Sequence, residues 1–300
     1  MIFDKKELPD LDEVVVQAME LFAREKLPVL KLPKFRRPLV VGSGNALVTG
    51  KILFNDSDAV FADEGNYRNK LENVKGIDGA VLISASGGKH APIIARDLRR
   101  RKLKCVLLTN NDDAPAKEFT EEVFIFPKNV EPYTYNVSTY LGMIIAKTRE
   151  NPRKVLHLLR EAKKKMPRNF GNYDSYYILV PEKFHLARDM FLTKFDELFG
   201  SKIFARAFTI EQSKHAKTVV PSKKEMFVYL GVRGEVFGKH KDHFHVGFSG
   251  GLDYGGFISL GYYIIGHIQR QNKPWFKDNI ENYAKFSSKS FGQKIEVIVR

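Results

Sequence analysis

Between residues 38 and 126 this chain alternates, and that alternation limits its fold more than any other feature. Short apolar runs at 39–41, 59–62, 79–84, 104–108 and 122–126 read as strands, and helical patterns at 46–54 and 89–101 fall between them. Strands separated by helices pair in parallel through right-handed crossovers. Strands apolar on both faces fit a sheet covered on both sides by helices. Ligands in such sheets bind at the carboxyl ends of the strands. The runs at 39–41, 79–84 and 104–108 end there in Gly42-Ser43-Gly44-Asn45, Ser84-Ala85-Ser86-Gly87-Gly88 and Thr109-Asn110.

The flanking segments extend the pattern. Leu11, Val14, Val15, Ala18, Leu21 and Phe22 recur at helical spacing and predict an N-terminal helix within 1–25. Helices are expected over 133–149 and 152–165. Residues 167–175 are rich in turn formers and read as a linker. Strands at 176–180, 203–208, 226–230 and 243–248 follow, with helices at 186–199 and 254–270. Residues 272–300 are mixed, with Trp275 as their expected anchor and a last strand at 294–299. The expected organisation is an N-terminal helix (1–25), a first α/β domain (26–166), the linker (167–175) and a second α/β domain with a C-terminal tail (176–300). Each domain is expected to be a doubly wound, flavodoxin-like three-layer α/β/α unit with a parallel sheet. A length of 300 residues suits two domains.

Composition narrows the function. Hydrophobic residues make up 43% and charged residues 28%, as in soluble globular proteins. No apolar run is long enough to span a bilayer and no signal segment opens the chain, so a cytoplasmic location is expected. The single Cys105 excludes an internal disulfide and a cysteine-based zinc site, and its apolar strand marks it as a core thiol. The net charge of +14 points to an anionic partner. Basic runs at 99–102, 163–165, 223–224 and 239–241 are short and scattered, and no nucleic-acid-binding signature accompanies them. A phosphorylated small molecule is therefore preferred to nucleic acid.

Two segments have the form of phosphate cradles. In the first, a strand leads through Gly44 and Asn45 into a helix. Leu47 stands where a dinucleotide fingerprint needs a small residue, so no NAD is expected, and a bare turn is the plain alternative. In the second, Ser84, Ser86, Gly87, Gly88 and Lys89 lie between a buried strand and a helix start. Backbone N–H groups, the helix dipole, two hydroxyls and one ammonium would all favour an anion there. Ser86 would also cap the helix.

With "VVGSGNA", "ISASGGKHAPIIARDLRRRKLKCVLLTNN" and "VEPYTYNVSTYLGMI" in this order, residues 38–146 resemble the SIS (sugar isomerase) domain. The resemblance implies a phosphorylated sugar as ligand. It assigns Ser84, Ser86, Gly87, Gly88 and Lys89 to the phosphate, Glu131, Ser138 and Thr139 to the sugar pocket, and Gly44, Asn45 and Thr109 to substrate binding. Ala46 departs from the usual serine, and Lys89 from a frequent threonine. The second half, through "LARDMFLTKFDELFGSKIFARAFTIEQSKHAKTVV", is similar to the isomerase half of glucosamine-6-phosphate synthase and to archaeal phosphoglucose/phosphomannose isomerases. That likeness makes Glu197 the base that moves a proton between C1 and C2. It makes His215 the acid/base for ring opening; the enediolate also needs a positive or hydrogen-bonding neighbour, for which Lys194 or Lys214 is the candidate. It also implies a homodimer with sites at or near the subunit interface, no cofactor, and a C-terminal region whose Lys289 or Lys294 reaches the sugar.

The chemistry suits these side chains. An imidazole titrating near neutrality can shuttle the ring-opening proton, and a carboxylate in a partly dry site is a stronger base. The plain alternatives are a solvated helix face for Lys194 and Glu197 and a surface loop for His215. His243 and His245 share a strand face near His240 and Asp242. A zinc or nickel site is one reading, and a polar strand edge with no metal is the one adopted. The leading expectation is an aldose–ketose isomerase acting on a hexose 6-phosphate. The rivals are a non-catalytic phosphosugar sensor, an aminosugar isomerase or deaminase, and a basic nucleic-acid binder.

Overall fold

The computed structural model describes residues 8–232, 237–248, 251–292 and 294–299. The chain divides into two compact units. One comprises 21–129 and 136–149; the other comprises the chain up to 20, 130–135 and 150–300. Helix α1 (Leu11–Arg24) opens the described chain.

The first unit is built on five parallel strands: β1 (Pro38–Val41), β2 (Val60–Ala62), β3 (Gly79–Ile83), β4 (Cys105–Thr109) and β5 (Glu122–Ile125), in the order β2-β1-β3-β4-β5. Leu39 pairs with Ala80, and Ala80 with Cys105. Helices α2 (Asn45–Leu53), α3 (Tyr67–Asn73), α4 (Ala91–Arg100) and α5 (Val137–Thr148) complete it. Every residue of β1, β3 and β4 is buried, because successive side chains enter two cores. Leu39, Ala80, Leu82 and Leu107 pack with Ile94 and Leu98 of α4. Val40, Val81, Ile83 and Val106 pack with Ala46, Leu53 and Met143. From β1 the chain runs outward to β2 and then returns to β3 on the other side. The chain therefore reverses its direction across the sheet between β1 and β3, and in such sheets that switch point is where ligands bind at the carboxyl edge.

Two helix starts differ from expectation. Helix α4 begins at Ala91 rather than at 89, because Lys89 is in the left-handed region at φ 46°. Its N-cap is His90, so Ser86 is not the cap. Helix α5 begins at Val137 rather than at 133, because Asn136 is left-handed at φ 46° and residues 131–132 form a strand instead.

The second unit contains β6 (Glu131–Pro132), α6 (Pro152–Lys163), β7 (Ser175–Val180), α7 (Ala187–Phe199), β8 (Phe204–Thr209), α8 (Ile210–Ser213), β9 (Glu225–Leu230), β10 (His243–Val246), α9 (Tyr254–Arg270), α10 (Trp275–Phe291) and β11 (Ile298–Val299). Its main sheet is parallel, in the order β10-β9-β7-β8, and β11 pairs antiparallel with β6. Tyr176, Ile178 and Val228 face Phe191 and Phe195 of α7 and Ile264 of α9. Tyr177, Leu179, Phe227 and Tyr229 form the core on the opposite face. The region read as mixed holds α10, which is anchored by buried Phe276, 5.0 Å from the Tyr135 ring, while Trp275 is only half-buried. Within 167–175, residues Phe170–Asn172 make a 3-10 turn whose Phe170 is fully buried.

Candidate functional site

The segment after β3 is held by short-range bonds that its composition makes possible. Ser84 Oγ accepts the Gly87 N–H at 3.1 Å, and Ser86 Oγ accepts the Gly88 N–H at 3.2 Å. Gly87 has φ 60°, and a Cβ there would lie 2.4 Å from Ala114 Cβ, so only glycine fits. The segment after β4 braces it from the side. Thr109 Oγ1 donates to Ala85 O at 2.8 Å, and Asn111 Nδ2 donates to Ser86 O at 2.9 Å. Thr109 is thus a strut whose proton is already committed.

The turn after β1 lies at the same edge. Gly44, at φ 53°, is the N-cap of α2. Asn45 is buried in the first turn, and its Oδ1 has no hydrogen-bond partner among the described residues. Ser43 donates to a carboxylate oxygen of Glu64, which follows β2. Burial alone would raise the Glu64 pKa. The Ser43 hydroxyl, a backbone N–H and the nearby side chains of His90 and Lys89 outweigh it and hold the carboxyl below its usual value. Burial pushes the Lys89 ammonium down, against the attraction of Glu64. Sequence reasoning missed Glu64, although the carboxyl-edge rule applies to the loop after β2 as it does to the others.

Ser138 and Thr139 are buried in α5. Ser138 Oγ accepts the Asn129 N–H at 3.0 Å, and Thr139 Oγ1 accepts from the Asn110 side chain. Both brace the loops that precede α5.

The second unit brings Lys194 and Glu197 together on α7. Lys194 is wholly buried, and its Nζ donates to Tyr135 O at 2.9 Å, Thr134 O at 3.3 Å and Glu197 Oε2 at 2.5 Å. Tyr135 and Tyr262 flank the ammonium with ring centroids 5.6 and 5.8 Å away. Glu197 keeps a quarter of its side-chain surface. Desolvation raises its pKa, Lys194 pulls it back, and Asp196 adds to the rise, for a net upward shift. Glu131 is buried in β6, opposite Val299 in the β6–β11 pair.

His215 is exposed in the turn after α8, and its backbone N–H donates to Gln212 O at 3.2 Å. Lys214 pairs with Glu211 at 2.7 Å. Lys289 is exposed on α10, and Lys294 pairs with Glu296 at 2.8 Å. His243 and His245 sit with ring centroids 5.8 Å apart, and His245 stacks on Tyr229 at 4.3 Å. Among the described residues no cluster of three His, Cys, Asp or Glu side chains is placed to hold a metal ion. None of the described helices is long and apolar enough to cross a membrane. Cys105 is buried, and burial pushes its thiol pKa far up.

No protein-family profile matches the sequence, and neither does any curated protein. Solved structures do match. A Clostridium difficile 630 protein provisionally described as a phosphosugar isomerase is 14% identical, with 88% of this chain and 94% of that chain covered and a TM-score of 0.64. Glucosamine-6-phosphate deaminase from Thermotoga maritima is 12% identical over 88% of this chain and 94% of that one, with a TM-score of 0.62. Tagatose-6-phosphate ketose/aldose isomerase from Escherichia coli is 13% identical over 89% and 92%, with a TM-score of 0.61. This chain shares the doubly wound α/β fold of these proteins.

Proposed function

We propose that this protein binds a hexose 6-phosphate and interconverts its aldose and ketose forms. The observation that carries the proposal is the 84–89 loop, which follows β3 at the switch point between β1 and β3. Because the Ser84 and Ser86 oxygens accept loop N–H groups, each hydroxyl keeps its own proton to donate to a phosphate oxygen. Lys89 adds positive charge, and Gly44 and Asn45 face the same edge from the first turn. The fold likeness to proteins named for sugar phosphates supports this reading.

Glu197 is the proposed base. Its raised pKa strengthens it for taking the proton from the carbon beside the carbonyl. The electron pair left behind forms the enediolate, and the same carboxyl returns the proton to the neighbouring carbon. Lys194 has all three N–H bonds committed within the protein, so its role is to position Glu197 rather than to meet the enediolate. His215 would open the sugar ring. No cofactor is required, and a cytoplasmic homodimer is the expected state.

Proton NMR in D₂O tests the chemistry. Wild type should exchange the C2 proton of the substrate and build up the partner sugar, and Glu197→Gln should do neither while still binding. Undiminished exchange by Glu197→Gln would remove it from the mechanism.

One observation favours a second reading, a phosphosugar sensor without turnover. His215 is exposed, in a surface turn. Saturable binding of a sugar phosphate with no C2 exchange in wild type would select that reading.

A further inference from the structure

The turn that carries His215 is exposed, yet it is tied down on both sides within the second unit. Before it, a capping box closes the start of α8. Gln212 N–H donates to Thr209 Oγ1 at 3.4 Å, and Thr209 N–H donates to Gln212 Oε1 at 3.2 Å. Arg188 Nη1 donates to the same Gln212 oxygen, and Arg188 Nε donates to His185 O at 2.7 Å. After it, Arg206 Nη1 of β8 donates to Lys217 O at 2.8 Å, two residues past His215. Between the two lies Ala216 at φ 56°, a left-handed conformation that a residue with a Cβ adopts only where its surroundings impose it.

The Arg206 tether is itself aligned. Nη2 donates to Glu225 Oε1 at 2.7 Å and Oε2 at 2.8 Å, and Nε donates to Oε1 at 3.2 Å. The guanidinium carbon lies 4.8 Å from the Tyr177 ring centroid. The Glu225 side chain keeps only 5% of its surface, and Ser175 Oγ donates to it at 3.0 Å. A buried carboxylate is a costly way to stabilise a sheet, and apolar residues of similar volume often do as well. What a carboxylate adds is direction. Gripped along one edge, the planar fork must aim its remaining nitrogen at the 217 carbonyl.

We infer that Arg206, aligned by Glu225, is a positioning residue that holds the His215 turn in the geometry needed for proton transfer. The inference rests on the isomerase reading above, with His215 as the ring-opening acid/base. That role needs the imidazole within hydrogen-bond reach of the sugar oxygen, and a displacement of about 1 Å costs on the order of a hundredfold in rate.

A double-mutant cycle tests this, with fructose 6-phosphate as the probe and formation of the aldose followed by NMR. Arg206→Lys keeps a cation for Glu225 but loses the fork. It should lower kcat about tenfold and change KM less than about twofold. The pair Arg206→Met with Glu225→Leu leaves no unpaired buried charge, so it keeps the fold, and it should show the same loss. In a His215→Ala background, Arg206→Lys should lower kcat further by less than about twofold, because no imidazole remains to be positioned. The same tenfold loss in both backgrounds would make Arg206 a purely structural residue and overturn the inference, as would full activity of Arg206→Lys. Full activity of His215→Ala would overturn it too, since the turn would then carry nothing that needs positioning. If wild type forms no aldose, the isomerase reading itself fails, and this inference with it.

Discussion

A lysine with no exposed surface must recover the several kcal/mol that desolvating an ammonium costs. Lys194 does so with two carbonyls, one carboxylate and two aromatic rings. Lys194→Met would leave those two carbonyls short of a donor and Glu197 without its cation. We expect a stability loss of about 3 kcal/mol by urea unfolding. Adding Glu197→Gln should return part of it, because the uncompensated charge is then gone. The glycines allow a second comparison. Gly87→Ala faces both a left-handed backbone and the Ala114 methyl, whereas a Cβ on Gly44 would meet nothing within 4 Å at a similar φ. Gly44→Ala should therefore cost about 1 kcal/mol and Gly87→Ala about 2–3 kcal/mol, with phosphate affinity falling chiefly in the latter. At this scale the sequence indicated which residue types would gather in the 84–89 loop. It did not indicate that Thr109 donates its proton to Ala85 O or that the Ser138 and Thr139 oxygens accept from Asn129 and Asn110, because a hydroxyl's partner is set by tertiary placement.

Elements were legible where local pattern and tertiary environment agree. The continuous apolar runs of β1, β3 and β4 and the periodicity of α1 fall close to where the sequence puts them. Helix α3 was not legible, because Tyr67 is its only buried residue and its charged, polar remainder resembles a loop. The pair β6–β11 joins residues more than 160 positions apart through two residues each, which no local pattern can reveal. Helix α10 was obscured by the mixed, charged character of its sequence. The contact of α1 with α9 was equally hidden. Leu11 N donates to Gln269 Oε1 at 2.9 Å, Arg270 pairs with Asp12 at 2.9 Å, and a Cβ on Gly266 would lie 2.0 Å from Asp12 N. The atom met is backbone, so Gly266→Ala must push the helices apart. A loss of about 2–3 kcal/mol in urea and faster hydrogen exchange in α1 are expected. Wild-type exchange in the variant would show that the two helices do not need this approach.

For the whole molecule, pH dependence follows from a few partly buried groups. His267 packs edge-on to Tyr263 at 4.8 Å, with Nε2 3.7 Å from Asp12 Oδ2. Desolvation lowers its pKa below 6.5, Asp12 opposes this, and the charges of Arg270 and Lys163 reinforce it. Below 6.5 the unfolded chain takes a proton that the native state refuses, so stability rises with pH. It should be full above that value and fall as pH drops below it, and His267→Gln should flatten the slope in a pH series of urea midpoints. Glu197, shifted upward, has the opposite sign: its contribution is largest in acid and is lost as pH rises through its native pKa. The same scale shows why alternation was informative. A parallel sheet buried on both faces leaves strand ends as the place for polar ligand groups, and the 84–89 loop follows such an end, that of β3. Ligand binding at that edge is the central claim, and a thermal-shift series tests it most directly. Wild type would be screened against hexose 6-phosphates and their unphosphorylated parents. A ligand at a hundred times its Kd stabilises by about 2.7 kcal/mol. Such stabilisation by a hexose 6-phosphate, and none by the free sugar, is the predicted result; no shift with any of them would contradict it.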